Sequence, residues 1–131
     1  VWRARARLIE EDIVRYLCLV YLDERTLNGL PKRDLDALVN EALDYSDTLR
    51  RSGHYVASNA LQSVQTAMTI RVQDGRVLTT DGPFAETKEQ LGGFILIEAR
   101  DLNEAIRIAS RIPPGRLGCI EVRPVQELTR P

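Results

Sequence analysis

The hydrophobic patterning of this chain predicts an α+β fold, with one antiparallel sheet carrying two amphipathic helices on the same face. Three observations lead there. Apolar residues recur with a helical period over 32–52 and again over 101–112. Four runs rich in β-branched and aromatic residues, at 15–22, 54–61, 93–99 and 118–125, are too short for helices and read as strands. Between the second and third runs, Asp74-Gly75 separates two more β-rich arms. The resulting order is β-α-β, a ββ hairpin, then β-α-β.

Each element has its own local reason. RYLCLVYL (15–22) is a buried strand, and Asn28-Gly29 with Pro31 makes a loop of residues 23–31. In the first helix Leu35, Leu38, Val39, Ala42, Ser46 and Leu49 fall on one face. Asp34 and Asp36 suit the positive end of that helix, Arg50 and Arg51 its negative end, and Gly53 the left-handed position just beyond it. HYVASNAL (54–61) follows as a strand. TAMTIRVQDGRVLTT (66–80) is a hairpin, because Asp-Gly tolerates the positive φ of a tight turn. GFILIEA (93–99) is a second buried strand. Asp101 and Glu104 have capping-box spacing and start a helix whose predicted apolar face is Leu102, Ala105, Ile106, Ala109 and Ile112. Pro113-Pro114-Gly115 stops it. GCIEVRPV (118–125) is the last strand, and Pro124 places its end at a sheet edge.

Length and composition narrow the possibilities. The 131 residues suffice for one domain with one core. A net charge of −1 gives no bulk field to recruit nucleic acid or an anionic membrane. The apolar run Leu17–Leu22 is too short to cross a bilayer. Cys18 and Cys119 lack metal-ligand spacing and read as buried thiols of a reducing cytoplasm. Residues 1–14, VWRARARLIEEDIV, read as an N-terminal extension, native or added for expression and helical over 4–13, ahead of a domain at 15–128. They lack the apolar centre of a secretory signal.

Two helices with one apolar face each cover one side of one sheet, which is a ferredoxin-like arrangement with an added hairpin. RYLCLVYL and GFILIEA are apolar on both faces, however, and no element remains to cover the second. A homodimer packed sheet to sheet is therefore expected.

DGPFAETKEQLGGF (81–94), followed by IEARDLNEAIRIASRIP and GCIEVRPV, resembles the YCII-related proteins, in particular the branch named for its DGPFAETKE motif. The likeness runs from about Arg15 to Val125. It implies a dimeric α+β barrel with a cleft beside the sheet. The family is mostly uncharacterised. Some members are encoded beside extracytoplasmic-function sigma factors, which implies a possible link to transcription, and chloromuconolactone dehalogenase is a distant enzymatic relative.

The resemblance also implies a catalytic pair: in YciI-like proteins it is a histidine on the first helix with an aspartate near the Gly-Pro turn. Asp81 matches the aspartate. The first helix here has no histidine, and Tyr45, Ser46 and Asp47 stand in that region. His54, the chain's one histidine, is the candidate substitute base, or else a hydrogen-bonded residue at a strand start. Asp81 is equally a turn residue that orders the bend. Gly82, Pro83, Phe84, Glu86, Thr87 and Lys88 form the candidate ligand-binding string, with Lys88 as cationic anchor. Against that role, Phe84 also reads as a core plug, and 85–89 as one solvated helical turn. Gly92-Gly93 suits a close backbone approach or a bulge. No dinucleotide, phosphate-loop, zinc or Ser-His-Asp pattern is found, so neither cofactor nor metal is expected. The function expected is binding of an unidentified small molecule, with lyase- or isomerase-type proton transfer or a non-catalytic role in transcription as the alternatives.

Overall fold

A computed structural model describes residues 13–131. Nearly all of the helix expected over 4–13 lies outside the described residues. In chain order the elements are β1 (Val14–Leu22), α1 (Glu24–Asn28), α2 (Lys32–Arg51), β2 (Tyr55–Ala60), β3 (Met68–Gln73), β4 (Arg76–Asp81), β5 (Gln90–Ala99), α3 (Leu102–Ala109) and β6 (Gly118–Pro124). One sheet has the order β2-β5-β1-β6 with every neighbouring pair antiparallel, while β3 and β4 pair only with each other. With the hairpin set aside, this is the strand order of a ferredoxin-like α+β fold.

Period-two alternation sorts the central strands. Tyr16, Cys18, Val20 and Leu22 of β1 and Ile95, Ile97 and Ala99 of β5 are buried beneath the helices. Leu38 and Leu49 of α2 and Ala105, Ile108 and Ala109 of α3 are the buried residues of those helices. All but Leu38 belong to one core cluster with the sheet. Tyr45 ties the helices together by donating to the carbonyl of Ile108 at 2.6 Å. Each aliphatic side chain buried here contributes about 1.5–3 kcal/mol.

The local signals act as expected at several points. Gly53 takes φ of +81° just past α2, and Asp74 and Gly75 take φ of +50° and +75° in the hairpin turn. The Asp101 carboxylate accepts from the Glu104 N–H at 2.9 Å. β6 is an edge strand, and Pro124 ends it.

Four expectations need correction. Residues 24–28 form a short helix rather than loop, because the Asp23 side chain accepts from the Arg25 N–H and caps it. On α3 the buried face is Ala105, Ile108 and Ala109, continued by Ile112 just beyond the helix, whereas Leu102 and Ile106 are half exposed. Two alanines let that side approach the sheet more closely than the leucine side could. Val39 is likewise exposed on α2, and partly buried Tyr45 lies on the packed side. Finally, 85–89 is not helical, and β5 begins at Gln90 with the glycine pair inside it.

The pair sits there for two reasons. A Cβ on Gly93 would meet the Asn59 carbonyl oxygen at 2.9 Å, so β2 can pair closely only with glycine opposite. Gly92 is skipped in the β1–β5 register, which steps from Val20↔Gly93 to Tyr21↔Leu91. This is a β-bulge, and it turns Leu91 to the side opposite the helices, beside Tyr21.

Candidate functional site

The end of the sheet where β1 finishes and β5 starts is joined by the loop 82–89 and the root of the hairpin. The loop is held at several points. The Gly82 N–H donates to the Ala67 carbonyl at 2.8 Å, and Thr69 Oγ1 donates to the Gly82 carbonyl at 2.8 Å. Gln90 Nε2 donates to the carbonyls of Ala85 and Thr87, both at 3.1 Å. Thr87 Oγ1 donates to the Glu89 carbonyl at 2.6 Å. Gly82 is the pivot, with φ of +97°.

Two recesses flank this loop, and Pro83, Thr87 and Lys88 line both. The larger, about 1060 Å³, lies between the loop and the sheet face without helices. Leu61, Met68, Phe84 and Leu91 give it apolar walls, and Tyr21, Gln90, Cys119 and Glu121 add polar or reactive atoms. The smaller, about 410 Å³, is bounded by Asp23, Glu24, Arg25, Gln65, Gly82 and Glu86 in addition to the shared residues. Glu24 braces it, accepting from Ser63 Oγ and the Val64 N–H, both at 2.8 Å.

Charge in the two recesses is arranged unequally. Hydrogen bonds from Arg25 hold the Asp23 carboxyl below its ordinary range, with Lys88 adding a smaller pull in the same direction. Partial burial, and then the Glu121 carboxylate, hold the Tyr21 phenol above its ordinary value, so it stays protonated and can donate. Among the described residues Lys88 forms no salt bridge. Its ammonium is therefore a cationic donor in the wall without a carboxylate partner among those residues.

The structure places all six residues of the expected ligand-binding string on a recess wall: Phe84 on the larger, Gly82 and Glu86 on the smaller, and Pro83, Thr87 and Lys88 on both. Asp81 is exposed as the last residue of β4 and lines neither recess. His54 is not brought to Asp81. The Gly53 turn sets it beside the far end of β5, where Nδ1 lies 2.8 Å from the Glu98 carbonyl oxygen and 3.9 Å from Glu104. Eight residues of strand separate Glu98 from Gln90, about 27 Å at the rise of an extended chain. His54 is thus the hydrogen-bonded strand-start residue, and within one chain the Asp81–His54 pair does not form.

Phe84 is not a core plug; it is 82 % exposed at the recess rim. Nor are both thiols buried. Cys18 is fully covered, its pKa pushed up to about 11 by burial, whereas Cys119 on the edge strand is exposed. Sequence reasoning missed Asp23, Glu24, Arg25, Gln65 and Gln90. The capping position of Asp23 was the one local signal available for any of them.

A ferredoxin-like α+β sheet with a motif-bearing loop against its uncovered face defines the class of protein. Residues 14–129 match the YCII-related domain, and the chain belongs to that family. It is 32% identical over 112 residues to the uncharacterized protein R00369 of Rhizobium meliloti (strain 1021), an alignment covering 84% of this chain and 90% of that protein. No helix among the described residues is long and apolar enough to cross a membrane.

Proposed function

We propose that this chain binds a small amphipathic molecule in the larger recess, and that a second copy packs on the sheet face bordering it. The observation that carries the reading is the recess itself: apolar walls, a pre-braced motif loop, and a Lys88 ammonium with no salt-bridge partner among the described residues. Such a combination suits a ligand whose apolar body lies against Phe84, Met68 and Leu91 while an acceptor group meets Lys88 and the Tyr21 hydroxyl. The bond of His54 to the Glu98 carbonyl, at the end of β5 away from the motif loop, weighs against proton transfer by the Asp81–His54 pair. The two cysteines, unpaired with each other, suit a cytoplasmic setting.

The dimer reading is supported by the uncovered face. Leu17, Leu19 and Tyr21 of β1 and Leu91, Phe94 and Leu96 of β5 lie there, and no helix among the described residues covers them. A fragment screen by thermal shift tests the binding reading on wild type, Lys88→Ala and Asp81→Ala. Hits should stabilise wild type and Asp81→Ala alike and lose most of their effect on Lys88→Ala. Equal shifts for all three proteins would remove Lys88 from the site.

A further inference from the structure

The β3–β4 hairpin stands apart from the rest of the chain. Its residues beyond the root are exposed, and it is anchored by the bonds that Ala67 and Thr69 make to Gly82. Its register puts Met68, Ile70, Val72 and Val77 on one face together with Thr79 and Asp81, and Arg71, Gln73, Arg76, Thr69, Thr80 and a single large apolar residue, Leu78, on the other. The four apolar residues are 55%, 62%, 68% and 66% exposed. A two-stranded ribbon is marginal in water by itself, and period-two amphipathicity marks a ribbon with one face packed. Among the described residues nothing packs that face.

We infer that the hairpin is an arm that lays its Met68–Val72–Val77 face on a second copy of this chain, so that the partner completes the rim of the ligand recess. This rests on the proposal that a second copy covers the open sheet face. Area selects that occupant. The apolar side chains of the open face are each already at least about two-thirds covered by their neighbours, so they offer only a few hundred Å² of apolar surface. A stable interface needs roughly 800 Å² per partner, a little over half of it apolar. The sheet face alone falls short, and four half-exposed aliphatic side chains with Phe84 make up the difference. The two surfaces are also continuous: Met68 and Phe84 border the same recess as Tyr21 and Leu91 of the open face. Two-fold symmetry makes such an exchange reciprocal, so each recess would be bordered by both copies, and ligand affinity would follow dimerisation.

The test uses the full chain in sedimentation over a hundredfold dilution series. The variants are Ile70→Arg/Val72→Arg on the apolar face of the arm, Thr80→Arg on its other face, and Leu19→Arg on the open sheet face. Ile70, Val72 and Thr80 are exposed, so circular dichroism should report an unchanged fold for the arm variants. A dimeric wild type whose dissociation constant rises at least tenfold in Ile70→Arg/Val72→Arg, but not in Thr80→Arg, is the expected result. If Leu19→Arg dissociates while Ile70→Arg/Val72→Arg does not, the arm is refuted and the sheet-face dimer stands. A wild type that is monomeric throughout overturns both.

Discussion

Replacing Gly82 with alanine should strain the motif loop without disturbing the core. No atom lies within 4 Å of where its Cβ would stand, so the cost arises in the backbone, which holds φ at +97°. Both peptide groups of the residue are engaged, the N–H with Ala67 and the carbonyl with Thr69. The loop cannot relax without breaking one of these bonds. A non-glycine residue held there costs about 1–3 kcal/mol, and the reduced freedom of the unfolded alanine chain offsets about 0.4–1 kcal/mol of it. The net destabilisation is about 1–2 kcal/mol, or a fall in Tm of about 3–8 °C for a domain of this size. Thermal denaturation measures the global effect, and hydrogen exchange at the Gly82 amide measures local release. Either a lower Tm or loss of protection at that amide is expected. A variant with the wild-type Tm and unchanged protection would show that the loop is not pinned as described.

Three further outcomes follow from the packing and the charges. Ile97→Ala removes a fully buried side chain from β5 and should cost about 2–5 kcal/mol in urea denaturation, with little change in m-value. Gly93→Ala forces a methyl group against the Asn59 carbonyl and should cost about 1–3 kcal/mol, with amide exchange in β2 rising more than in β6. Hydrogen bonds from the Arg100 N–H and guanidinium hold the Glu104 carboxyl below its ordinary value. Its stabilising contribution is therefore present above the unfolded-state pKa and lost as the pH falls through the folded one. Stability measured from neutral to acidic pH should decline less steeply for Glu104→Gln than for wild type, and parallel curves would exclude the linkage.

The parts of the fold that were legible in the sequence are those set by local chemistry. The α2 periodicity, the positive φ at Gly53, the Asp74-Gly75 turn and the Asp101 cap each need only neighbouring residues to act. α1 was not legible, since five residues are too few for a periodicity and Asn28-Gly29 masked its cap. The α3 face was misjudged because Leu102-Ile106 and Ile108-Ile112 are both plausible stripes, and close packing of Ala105 and Ala109 on the sheet decides between them. At the candidate site, the motif string marked the loop that the structure sets between the two recesses. It could not show that Phe84 points outward, that Asp81 falls outside both recesses, or that Asp23, Glu24 and Arg25 arrive from the end of β1. Those facts depend on strand register across the sheet. His54 shows the same limit: it is near the motif in composition and far from it along β5.

Amide chemical-shift mapping of fragment hits on the labelled protein tests the central claim most directly. Binding at the larger recess predicts that the perturbed amides cluster at Tyr21, Phe84, Thr87, Lys88 and Leu91. Hits that instead gather around His54 and Glu98, or that scatter with no common centre, would contradict it.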